Sequence, residues 1–124
     1  MAKADNPSQQ RPIIWLGDTR KTLLAFPEEV RQKIGYKLHL MQSGVIPTDT
    51  KPFKGVGSGV FEIALKHDKE AYRCVQALQL GGRIYILHVF HKKSKSGIAT
   101  PTKDVDVIIK RYKDAQELEK HGTV

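Results

Sequence analysis

Lys66, Arg73, His88 and Lys92 are the side chains of this sequence that could do chemistry together. None adjoins another in the chain, so only secondary structure can assemble them. The stretch from Arg83 to Thr102, RIYILHVFHKKSKSGIATPT, runs from an apolar strand into a histidine and lysines. It would deliver positive charge to one end of a sheet, and such charge asks for an anionic partner, most commonly nucleic acid. RNA is cut when a 2′-hydroxyl loses its proton and attacks the adjacent phosphate. That reaction needs a base, a group that holds the crowded phosphorane, and an acid for the leaving oxygen. Arginine holds the charged transition state, and a lysine among other cations becomes a usable base. Arg73, Lys66 and Lys92 fit these roles, with His88 as acid or base.

Three predicted strands, Val60 to Lys66, Ala71 to Leu80 and Arg83 to Lys92, position these residues. Side chains alternate along a strand, and a hairpin turn sets the register. With Gly81-Gly82 as a two-residue turn, Leu80 faces Arg83, Val75 faces His88, Arg73 faces Phe90 and Ala71 faces Lys92. With Asp68-Lys69 as the other turn, Ala64 faces Arg73, Glu62 faces Val75 and Lys66 faces Ala71. One face then carries Glu62, Lys66, Arg73, His88, Phe90 and Lys92, with Val75, Ala77, Ile84 and Ile86 toward the Gly-Gly end. The other carries Phe61, Ile63, Leu65, Tyr72, Cys74, Leu78, Tyr85, Leu87 and Val89. This second face is the better core. Plainer roles exist for each site residue: a bridge from Arg73 to Glu62, solvated strand ends at Lys66 and Lys92, a hydrogen-bonded semi-buried His88. His91 falls on the far face.

The remaining elements must cover that sheet. Residues 1–11 are nearly devoid of apolar side chains and read as a disordered tail. Pro12 to Leu16 suits one strand, and Asp18 is placed to cap a short helix over Thr19 to Ala25. Pro27 opens a second helix with Glu28 and Glu29 in its first turn, where they complement the dipole. Val30, Ile34, Leu38 and Met41 recur at helical spacing. Val45 to Gly59 is rich in glycine and proline and reads as a loop. Its Gly55-Val56-Gly57-Ser58-Gly59 lacks both a Walker lysine and the dinucleotide pattern. Thr100 and Pro101 suit the N-cap and first position of a closing helix with Val105, Ile108, Ile109, Tyr112 and Ala115 on one face. Residues 12–119 thus form one domain, with 120–124 as a fraying tail.

Composition narrows the function further. The chain has 124 residues and carries 21 Lys+Arg against 13 Asp+Glu, a formal charge of +8, which favours an acidic partner. A single cysteine, Cys74, rules out an internal disulfide and lies in an apolar segment as a buried thiol. No apolar run approaches the ~18 residues of a membrane span. The cytoplasm is the expected compartment. No Asp, His or Cys cluster has metal-ligand spacing, no cofactor is implied, and no Ser-His-Asp or Cys-His arrangement is supported.

Several segments match a known pattern. Phe53-Lys54-Gly55, then Val60-Phe61-Glu62-Ile63, then Ala71-Tyr72-Arg73, then Ile84 to Ser94, then Thr100-Pro101 resemble the phage-derived HigB-like branch of the RelE/ParE toxin superfamily. The resemblance spans roughly Ile13 to Ala115. It implies an α+β, RelE-like fold: an N-terminal helical hairpin on a small twisted antiparallel sheet, with a C-terminal helix. It also implies the toxin of a type II toxin–antitoxin pair, a metal-independent endoribonuclease that cuts mRNA on the ribosome. The partner would be a cognate, HigA-like antitoxin with a helix-turn-helix domain. The family's recurrent arginine falls on Arg73, and its basic strand ends fall on Lys66, Lys92 and Lys93. Lys54, Lys93, Lys95 and Lys103 are the candidates for RNA contact. Two lysines of better-studied members appear as Glu62 and Ala64, and Tyr112 is a weak match for a C-terminal tyrosine. Those departures leave a second reading, a non-catalytic RNA-, ribosome- or antitoxin-binding module of the same fold.

Overall fold

The computed structural model describes residues 10–93, the last by its backbone only, and 100–122. In chain order the elements are β1 (Ile13–Trp15), α1 (Thr19–Leu24), α2 (Glu28–Gln42), β2 (Thr50–Pro52), β3 (Val60–His67), β4 (Glu70–Leu80), β5 (Arg83–Lys93) and α3 (Thr102–His121). The strands form one sheet in the order β1-β5-β4-β3-β2. This is the α+β, RelE-like arrangement that the sequence predicts, with one correction. The sheet is mixed, because β1 runs parallel to β5. The chain leaves β1 through two helices and three strands before it returns as β5, and that path brings the two strands side by side in the same direction. Ile84 donates to the Pro12 carbonyl and Leu16 to the Ile86 carbonyl, which knits β1 onto the sheet.

One further element is not among the predicted ones. Thr50–Pro52, expected within a loop, pairs antiparallel with β3 as an edge strand. Proline is tolerated there because an edge strand has a side that needs no ladder donor. At the N-terminus the fold begins earlier than residue 12. The Arg11 amide donates to the Gln42 carbonyl at 3.0 Å, and its guanidinium donates to the carbonyls of Leu78 and Arg83. At the other end α3 continues through His121 and stops at Gly122 in the left-handed conformation, a common helix ending.

The helices cover both faces of the sheet. Val30, Ile34, Leu38 and Met41 of α2 pack on Ile63, Tyr72, Cys74, Leu78, Ile84, Ile86 and Val89. Ile108 and Ala115 of α3 pack on Val60, Val75, Ala77, Tyr85, Leu87 and Phe90. The β3–β4 register matches the predicted one from Glu62↔Val75 to Lys66↔Ala71. The β4–β5 register matches at Leu80↔Arg83, Val75↔His88, Arg73↔Phe90 and Ala71↔Lys92, but slips between them to Gln76↔Ile86 and Ala77↔Tyr85. The slip reverses the predicted faces of Ile84 and Ile86, which join α2, and of Tyr85 and Leu87, which join α3. A bulge adds one residue to one strand, and one residue is enough to turn every side chain beyond it to the other face. Leu87 is the extra residue on β5, so it and His88 both lie toward α3.

Two turns fix the hairpins. Asp68 and Lys69 have φ of 49° and 66°, the left-handed pair of a two-residue hairpin turn. Gly81 has φ of 60°, and a Cβ there would collide with the Glu119 carboxylate of α3. Glu119 in turn accepts from Tyr85 Oη at 2.6 Å and Arg83 Nη1 at 3.0 Å. The end of α3 is thereby latched to the Gly-Gly end of the sheet. No described helix is long and apolar enough to cross a membrane.

Candidate functional site

Three cross-strand rows on the α3 face build the site. The first runs Lys51, Glu62, Val75, His88 from β2 to β5. The second is Ala64, Arg73, Phe90, and the third Lys66, Ala71, Lys92. Opposed side chains in such rows lie about 5 Å apart, and diagonal neighbours stay within reach of long side chains. The α3 helix covers the end of this face toward the Gly81-Gly82 turn. Ala64 and Lys66 are exposed at the other end, so an open basic rim adjoins the covered half.

Arg73 sits at the boundary. Its Nη1 donates to Glu62 Oε2 at 3.1 Å, the two side chains being 15% and 14% exposed. The same nitrogen lies 3.4 Å from Thr100 Oγ1. Thr100 was expected to cap α3, but Pro101 holds the N-cap position and makes no side-chain cap bond. The threonine hydroxyl is turned to the arginine instead. A guanidinium has five donors, so the pairing with Glu62 leaves others for a phosphate.

His88 forms a second pair one row away. Its Nε2 is 2.8 Å from Asp104 Oδ1 in the first turn of α3, and its ring stacks on Phe90 at 4.7 Å. Its Nδ1 is buried and has no partner among the described residues. Nε2 is engaged by Asp104 and Nδ1 is buried, so both ring nitrogens are turned to the protein. The imidazole thus ties α3 to the sheet behind Arg73.

The other basic candidates divide by place. Lys66 is exposed and Lys92 half-buried on the two sides of Ala71. Lys103 is exposed in the first turn of α3, next to Asp104. Lys54 lies in the β2–β3 loop beyond Phe53, whose amide donates to Val60. Val60 precedes Ala64, the partner of Arg73, by four residues, which is roughly 13 Å along the strand. Lys54 is therefore not gathered into this site. Lys93 continues β5 opposite Glu70, with only its backbone described, and Lys95 lies outside the described residues.

Reading the sequence alone missed Lys51, Thr100 and Asp104. Lys51 is exposed in the same row as Glu62, but its strand was too short to recognise. Asp104 carried a usable signal, since an acidic residue in the first turn of a helix that lies over His88 is a natural partner for it. Tyr112 does not reach the site. Its ring fills the space beside Gly57, where any Cβ would collide with it. His91 takes the far face as predicted, stacked on Tyr72 at 5.0 Å and paired with Glu70 at 3.2 Å. Cys74 is fully buried, and burial pushes its thiol up to about 12, so it is inert. Among the described residues no three His, Cys, Asp or Glu side chains gather as metal ligands would.

Comparison with known proteins bears on this arrangement through one match. The family described as Phage derived protein Gp49-like (DUF891) matches residues 21–113, well over half of the chain. The chain belongs to the Gp49-like family. The match runs from within α1 to the middle of α3 and so contains Glu62, Lys66, Arg73, His88, Lys92 and Asp104. This family is associated with the toxins of toxin–antitoxin pairs. No curated protein and no solved structure matches the chain.

Proposed function

We propose that this Gp49-like protein is the toxin of a type II toxin–antitoxin pair and inhibits translation by cutting mRNA on the ribosome, as a HigB-like endoribonuclease. The observation that carries the reading is the Glu62–Arg73 pair at the edge of α3, flanked by Lys66 and Lys92 on an open sheet end. A carboxylate and a guanidinium held on one surface can take a proton and stabilise phosphate charge in the same step.

In this scheme the scissile phosphate displaces part of the Glu62–Arg73 contact and binds the free donors of Arg73. Glu62 takes the 2′-hydroxyl proton. The 2′-oxygen bonds to phosphorus, the bond to the 5′-oxygen breaks, and the products are a 2′,3′-cyclic phosphate and a 5′-hydroxyl. Lys66 and Lys92 hold the non-bridging oxygens, and one of them returns a proton to the leaving oxygen. His88 and Asp104 act as positioning residues that keep α3 and Thr100 against Arg73. Lys51 and Lys103 extend the basic surface along the RNA, and Lys93 and Lys95 are further candidates for RNA contact by sequence. The antitoxin partner would be a small helix-turn-helix protein.

Expression of the chain by itself is the test. Growth should stop, ribosome-bound mRNA should acquire new 5′ ends, and Arg73→Ala should abolish both. Wild type and Arg73→Ala behaving alike would remove the site from the proposal.

A second reading has one observation in its favour. Arg73 is already paired with Glu62, and His88 with Asp104, as in a surface that binds without cutting. It predicts salt-sensitive binding to RNA or ribosomes with no cleavage product under any condition.

A further inference from the structure

The sheet face opposite Arg73 carries an unrelated feature. A groove of about 260 Å³ runs between β1, α1 and α2. Trp15, Leu24 and Gly35 line it together with the basic side chains of Arg20, Arg31 and His39. No acidic side chain is among its described lining residues. Leu24 is 53% exposed and offers apolar surface beside the basic side chains.

Gly35 is the second observation. It lies in the middle of α2, on its exposed side, where glycine weakens a helix relative to alanine. Nothing among the described residues requires it. Its φ is not in the left-handed range, and a Cβ there would have no described atom within 4 Å. A missing side chain in the lining of a groove lets another backbone come close. The stripe Arg31, Gly35, His39, Gln42 extends over about 16 Å at the helical rise, the span of three turns.

We propose that this groove docks an α-helix of a partner protein, crossing α2 at Gly35, with apolar residues on one stripe and acidic residues on its flanks. The apolar stripe covers Leu24 and Trp15. The acidic flanks meet Arg20, Arg31 and His39. An amphipathic helix laid in an apolar groove is a common recognition mode, and complementary charge selects the partner. The groove lies behind the sheet from Glu62 and Arg73, so its occupation does not depend on RNA cleavage.

Trp15 is the single tryptophan of the chain, so its emission reports on the groove alone. The probe is a synthetic, tryptophan-free helical peptide of about five turns with leucine on one stripe and glutamate on both flanks. Titrated into the full chain, it should shift Trp15 emission saturably. A lysine-flanked version of the same peptide should bind at least about ten-fold more weakly. Gly35→Leu should abolish the shift, and Arg31→Glu should weaken it about ten-fold or more, while both keep the wild-type circular dichroism. Gly35 and Arg31 are on the helix surface, so these variants test the groove rather than the core. No saturable shift, equal binding of both peptides, or binding that survives Gly35→Leu would each overturn the proposal.

Discussion

Arg73 and Glu62 sit diagonally on neighbouring strands with 3.1 Å between Nη1 and Oε2, and both are largely covered. The same pair is therefore a structural contact and a candidate catalytic one, and the two roles separate by substitution. Glu62→Gln keeps the shape and one acceptor but loses the charge. Its stability should fall by about 1–2 kcal/mol, the scale of a lost charge-assisted hydrogen bond. Its mRNA cleavage should fall about 100-fold or more, the usual share of a general base. Denaturant melts and single-turnover cleavage measure the two. A fall in cleavage no larger than the fall in folded fraction would make the pair structural only.

The latch at the end of α3 should respond to pH at both extremes. The hydrogen bond from Tyr85 and then the Arg83 guanidinium hold the Glu119 carboxyl below its ordinary value, against the opposing effect of desolvation. A carboxyl lowered on folding stabilises above its unfolded value and loses that contribution as pH falls through the folded one. Tyr85 is pushed up to about 12, first by burial and then by Glu119. Its protonated form belongs to the folded state, so the contribution is complete below about 10 and lost as pH rises toward 12. Melting temperature against pH should show both declines, and Tyr85→Phe should flatten the alkaline one. An unchanged alkaline limb in Tyr85→Phe would mean another group unfolds the protein there.

Gln76 is the least expected member of the core. It is fully buried on β4, and neither its amide nitrogen nor its oxygen has a partner among the described residues. Replacing such a group by an apolar one of similar size removes a desolvation penalty of about 1–3 kcal/mol. Gln76→Met should therefore raise the denaturation midpoint with an unchanged denaturant slope. A lower midpoint would show that the amide has a role in the register slip beside it.

Lys69 occupies the second left-handed position of the β3–β4 turn with φ of 66°. A side chain there costs roughly 1 kcal/mol that glycine does not. Lys69→Gly should raise the melting temperature by several degrees and leave the site rows unchanged. Because Lys69 lies at the turn beside Lys66, RNA cleavage by this variant also shows whether the charge at the hairpin tip contributes to binding.

The rows that assemble Glu62, Lys66, Arg73 and Lys92 were legible from local rules alone. Two tight turns of even length set the register, and strand alternation did the rest, which is why Ala71↔Lys92 and Arg73↔Phe90 came out as predicted. The α2 stripe was legible for a similar reason, since helical spacing records which side is buried. Three features depended on tertiary structure. The bulge at Leu87 exchanged Ile84 and Ile86 for Tyr85 and Leu87 between the two cores, because all four are apolar and either assignment satisfies alternation. The parallel docking of β1 on β5 joins segments some seventy residues apart, and nothing local encodes it. Thr100 turned from the helix cap to Arg73, and Asp104 to His88, because α3 packs across the sheet where those side chains are the nearest buried partners. Local spacing thus determined which cations share a face. Packing decided which carboxylates and hydroxyls hold them there.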